Sequence, residues 1–146
     1  MQILISFLAV VLGSSLAMAQ ATLTIEVPNI KEAKGDLLVA VYKGANGFPD
    51  QPDKAAGIQK LKPLVGKNVI QFNLEPGNYA VAVVHDVNGN GEVDLNGFGI
   101  PKEPIGFSND PVLLGKPTYE DTNFEVVAPA TTKAIKMKSF GFKRIR

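Results

Sequence analysis

The sequence predicts an all-β fold, an antiparallel Greek-key β-sandwich of about seven strands. Three observations point there. Apolar residues recur mainly with period two, turn-forming residues punctuate the intervals between those runs, and no window sustains a helical stripe for three turns. With 146 residues and 45% hydrophobic content, the chain has enough for one domain around one core.

The first segment stands apart from that core. From Ile3 to Leu16 it is almost wholly apolar or small, and it ends in Ala17-Met18-Ala19, a small-x-small site of the kind signal peptidase cleaves. The run is shorter than the roughly 20 residues that span a bilayer, and no basic stop-transfer cluster follows it. Residues 1–19 therefore read as a signal peptide and 20–146 as a single sandwich domain, although no Lys or Arg precedes the apolar run. A membrane anchor is the alternative. Cleavage leaves no membrane span and places the mature chain in the periplasm or outside the cell.

The strands follow in order. Ala21 to Val27 alternates, Leu23, Ile25 and Val27 against Thr22, Thr24 and Glu26. Leu37 to Tyr42 is a short apolar run with β-branched and aromatic members. Asp53 to Lys60 has room for one helical turn, and Gly57 to Lys62 is expected to form a hairpin with Val69–Leu74, which alternates again. Tyr79 to Val84 is apolar or small on both faces and reads as a central strand. Phe124–Val127 and Ile135–Met137 complete the set. Between Leu74 and Tyr79, Pro76 and Gly77 stand where a type II turn places them. Tyr79 is then placed to turn its hydroxyl back onto the backbone, the tyrosine corner of Greek-key sandwiches; an ordinary hairpin with an exposed Tyr is the alternative.

The chemistry lies after the central strand, in His85-Asp86-Val87-Asn88-Gly89-Asn90-Gly91-Glu92-Val93-Asp94. Counted from Asp86, side-chain oxygens occupy the first, third, fifth and ninth places, and the Glu92 carbonyl is available at the seventh. Gly91 at the sixth permits the sharp turn that aims the others. This spacing suits Ca²⁺, which takes six to eight oxygens at about 2.3–2.6 Å. It is not an EF-hand, because the twelfth place is Gly97 and no amphipathic helix adjoins the loop. The missing carboxylate must come from elsewhere or from water, and Glu103 is the nearest candidate. A metal-free loop is the competing reading, since Asn88-Gly89 and Asn90-Gly91 are both favoured turn dipeptides and Asp86 can cap the turn itself.

A Gly- and Pro-rich connection runs from Asp94 to about Thr122. Its Phe98, Ile100, Ile105 and Phe107 are expected to fold over the sandwich end, with a cation pinning the start of the loop. Composition excludes several classes. The absence of Cys removes disulfides, thiolate metal sites, cysteine nucleophiles and lipoprotein anchors. Fifteen basic against 14 acidic residues give no field favouring nucleic acid. The sole His, His85, adjoins Asp86, but neighbouring strand residues point to opposite faces, so a satisfied strand-end His is the simpler account. A carboxylate pair among Glu92, Asp94 and Glu103 leaves a hydrolase as the remaining enzymatic option. The expectation is a non-catalytic binding module of the cell envelope with a Ca²⁺-stabilised loop. The alternative is a metal-free domain meeting an envelope protein or glycan through Phe98–Phe107.

Three stretches carry a family resemblance: Leu74-x-Pro76-Gly77-x-Tyr79-Ala80-Val81; His85-Asp86-x-Asn88-x-Asn90-Gly91-x-x-Asp94; and Gly99-Ile100-Pro101-x-Glu103-x-x-Gly106-Phe107-Ser108-Asn109. Pro117-x-x-Glu120-Asp121 adds a further echo. The chain resembles the bacterial exported family named domain of unknown function 2141. The resemblance implies a transthyretin-like sandwich and carries no activity with it.

Overall fold

In the computed structural model, which describes residues 17–140, eight strands form two sheets. They are β1 (Ala21–Ile30), β2 (Asp36–Tyr42), β3 (Gly57–Leu61), β4 (Gly66–Leu74), β5 (Gly77–Asp86), β6 (Ile105–Phe107), β7 (Phe124–Val126) and β8 (Ala130–Ala134). Helical structure among the described residues is short, a 3₁₀ turn at Pro52–Lys54 and α1 at Tyr119–Thr122. None of it is long and apolar enough to cross a membrane. One sheet has the order β4-β1-β8, the other β3-β2-β5-β6 with β7 on β5. All pairings are antiparallel except β1 with β8. Most of the segment read as a signal peptide lies outside the described residues.

Period-two patterning places the core. Leu23, Ile25 and Val27 of β1 face Leu37, Val39 and Val41 of β2 and Tyr79, Val81 and Val83 of β5 between the sheets. The alternate residues of the second sheet make a different cluster on its outer face, where Tyr42, Ala80, Ala82, Ile105 and Phe107 gather with Phe48. β5 is accordingly buried on both faces, as its unbroken apolar run predicts.

Four expectations need correction. β3 does not form a hairpin with β4. It pairs with β2, Leu37 opposite Leu61 through Val41 opposite Gly57, while β4 crosses to the other sheet beside β1. The crossing is fixed by Asn68, whose side chain bonds the Leu64 amide and carbonyl at 2.8 Å each. The last strand is the mostly polar Ala130–Ala134, and Ile135 and Met137 fill the core just beyond it. The connection after Asp94 also contains a strand, β6, held against Ala82–Val84 of β5. Finally, Gly77 has φ 157°, extended rather than near the +80° of a type II turn, because Glu75-Pro76 carries the chain from one sheet to the other. The Tyr79 hydroxyl donates to the Glu75 carbonyl at 2.7 Å, so the tyrosine corner is present.

Candidate functional site

The acidic loop leaves the C-terminal end of β5 at one end of the sandwich. Asp86 is fully buried and organises the turn: its two oxygens accept the Asn90 amide at 3.3 Å and the Gly91 amide at 2.7 Å. Gly89 and Gly91 take the positive φ values, 68° and 78°, that the turn dipeptides allow. Gly35 closes the loop from below. It has φ +65°, and a Cβ there would overlap the Asp86 carbonyl oxygen and come within 2.7 Å of Val87. Only glycine lets the β1–β2 turn approach that closely.

Asp94 collects the two carboxamides. Asn88 donates to it at 2.6 Å, and Asn90 donates to both of its oxygens at 3.0 and 3.1 Å. The amide oxygens meanwhile accept backbone groups, Asn88 from the Asn90 amide and Asn90 from the Glu92 amide. The Glu92 side chain is exposed. Rotation of either carboxamide about its terminal torsion would exchange nitrogen for oxygen facing Asp94.

Glu103 enters from the far side of the small hairpin 94–102, whose ends are tied by the Lys102 amide to the Asp94 carbonyl at 2.8 Å. It is only 5% exposed. Its Oε2 accepts the Asp94 amide at 3.4 Å, and its carboxyl stands within hydrogen-bonding reach of Asp86. Among the described residues its Oε1 is the one buried side-chain polar atom without a partner. Burial pushes the Glu103 carboxyl above its usual range, and the neighbouring Asp86 and Asp94 carboxylates add to this against the opposing pull of the Asp94 amide.

The structure thus brings together Asp86, Asn88, Asn90, Asp94 and Glu103, and leaves the Glu92 carboxylate outside. As placed, no three His, Cys, Asp or Glu side chains among the described residues converge on one chelating point. The sequence reading missed Asp36. It is 6% exposed, opposite Asp86 in the β2–β5 register, with Lys62 at 2.7 Å and Lys60 at 3.4 Å. Those lysines, Lys62 foremost, hold its carboxyl below the usual range. His85 is buried, with Nε2 2.8 Å from the Lys34 carbonyl, a strand-end His satisfied by backbone. The expectation that the connection folds inward holds for Ile105 and Phe107, which are buried, holds in part for the half-buried Ile100, and fails for Phe98, which is 85% exposed. Phe98 lies in the turn of the 95–101 hairpin, which the Leu95–Pro101 bridge closes.

Fold and site together define a β-sandwich whose end carries an Asp/Asn loop closed by a buried glutamate. The family model described as "Uncharacterized protein conserved in bacteria (DUF2141)" matches residues 25–134, and the chain belongs to that bacterial family. No curated protein and no solved structure matches it.

Proposed function

We propose that this protein is an exported, non-catalytic binding module of the bacterial cell envelope whose end loop is held by Ca²⁺. The carrying observation is Glu103. Its Oε1 is buried and unpartnered beside the buried Asp86 carboxylate. Two carboxylates in that position repel one another, and an unpaired buried acceptor costs roughly 1–3 kcal/mol. A hard divalent cation between them relieves both penalties. Asp94, the Asn88 and Asn90 oxygens and the Glu92 carbonyl would complete an oxygen shell once the carboxamides rotate and the three carboxylates, which do not converge as they stand, draw in on the ion. The cation holds the loop, and the loop walls the outer face of the second sheet. Export rests on the apolar leader and its Ala17-Met18-Ala19 site. The non-catalytic reading rests on His85, whose ring is buried and engaged with backbone.

Thermal unfolding of the 20–146 protein in EDTA and in millimolar Ca²⁺ tests this. A ligand that binds only the folded state at about 100 times its Kd adds roughly 2.7 kcal/mol, a rise of several degrees. The rise is expected with Ca²⁺, weak with Mg²⁺ and absent in Asp86→Ala. No shift in the wild type would leave the metal-free alternative, an envelope domain meeting a protein or glycan through the exposed Phe98 hairpin.

A further inference from the structure

We propose that the outer face of the second sheet is a binding site for the acyl chain of a monoacyl lipid with an uncharged or zwitterionic head. This names the ligand of the binding module described above, and it rests on that reading. The site is a trough of about 1110 Å³ with a floor and two walls. Its floor is made by the outward residues of β2 and β5, where two small side chains, Ala40 and Ala82, stand directly opposite one another. Leu38 and Val84, also paired, and Phe107 of β6 raise its sides. One wall is the cation loop and its hairpin, through Val93, Leu95 and Ile100; the other is the 113–117 segment. At the mouth Phe98 is 85% exposed and Leu114 96% exposed, so apolar surface continues outward on both sides.

The chemistry of the lining selects the ligand. β2 is bonded to β3 and β5, and β5 to β2 and β6, so the backbone groups under the floor are already paired. A peptide laid there would leave its own N–H and C=O groups without partners, as would a glycan its hydroxyls. An alkyl chain has nothing to satisfy. At about 1110 Å³ the volume lies just above the range of small-molecule sites, on the order of 300–1,000 Å³. Charge decides the head. The charged residues of the lining are Asp50, Glu92 and Lys116, and Lys116 already pairs with Asp50 at 2.6 Å. The remaining carboxylate repels a fatty-acid anion and accepts a neutral head or an ammonium.

The test is fluorescence titration of the 20–146 protein with a pyrene-labelled monoacylglycerol below its micelle concentration, in Ca²⁺ and in EDTA. Unlabelled lysophosphatidylethanolamine and palmitate serve as competitors. Expected are saturable binding, displacement by the zwitterionic lipid, and at least several-fold weaker displacement by palmitate. Ala40→Phe, which fills the trough from its floor, should weaken binding at least tenfold while leaving the melting temperature within a degree or two. Absence of saturable binding in both media overturns the proposal, as does wild-type affinity in Ala40→Phe or preference for palmitate. Binding that appears only when residues 141–146 are deleted makes the chain's own tail the occupant. Binding that appears only on dilution of a dimer makes it a second copy. Either result also overturns the proposal. The Ca²⁺ melt is read separately, so a missing cation and a missing lipid give different patterns.

Discussion

Glu103 and Asp36 are both buried beside Asp86, yet their surroundings move them in opposite directions. Glu103 holds its proton to higher pH in the folded chain than in the unfolded one. Between those two values the folded state binds more protons, so its contribution falls as pH rises and is constant above the folded value. Asp36 contributes stability above its unfolded value and loses it as pH falls through the folded one. In EDTA near neutrality, Glu103→Gln should therefore raise stability by about 1–2 kcal/mol, because its amide can donate to Asp86 where two carboxylates repelled. Melting from about pH 4 to 8 should show the wild type's decline flattened in the variant. In Ca²⁺ the order reverses, with the wild type gaining and the variant not. A variant that still gains with Ca²⁺ would remove Glu103 from the site. The spacing of Asp86, Asn88, Asn90 and Asp94 was plain in the sequence, and Glu103 was found by nearness along the chain. Asp36 was not legible, because only the β2–β5 register sets it opposite Asp86.

At the scale of elements, β6 is the piece that local pattern could not reveal. Ile105-Gly106-Phe107 sits in a Gly- and Pro-rich run, and three residues are too few to show a period. Its strand character comes from β5 on one side and the C-terminal segment on the other, where Ile105 and Lys138 exchange backbone bonds at 3.0 and 2.7 Å. Gly106 is what permits the contact. A Cβ there would lie 2.6 Å from the Lys136 carbonyl oxygen and 2.9 Å from the Ile135 side chain. Gly106→Ala should cost about 1–3 kcal/mol, read as a lower denaturant midpoint at unchanged slope. An unchanged midpoint would mean that the C-terminal segment shifts freely. The misplaced β3 has a related cause. Nearness in sequence suggests a hairpin, but β4 has its better partner in β1, whose alternation it matches from Ala21 opposite Leu74 to Val27 opposite Asn68. The last strand was misread because Ala130–Ala134 is mostly exposed, so its sequence shows the polar face of a sheet edge rather than a core.

For the whole molecule, the class was legible because period-two burial is imposed twice, once by each sheet on the shared core. The arrangement of the sheets was not, because it is settled by pairings between distant segments. The first strand of the domain lies between β4 and the last strand, β8. β1 and β8 run parallel, Thr22 opposite Ala130 through Glu26 opposite Ala134. Parallel neighbours at the two ends of a domain have a mechanical consequence. Tension applied at residues 21 and 134 draws the two strands past each other and loads every bond between them together, so they rupture at once. Tension between residues 21 and 74 acts on the antiparallel pair β1–β4 from one end, Ala21 opposite Leu74, and opens its bonds singly. In single-molecule pulling the first attachment should give one abrupt break at clearly higher force than the second. A protein so built, tethered by one terminus and tugged through the other, would hold its shape under a load that would peel it apart if applied across a hairpin.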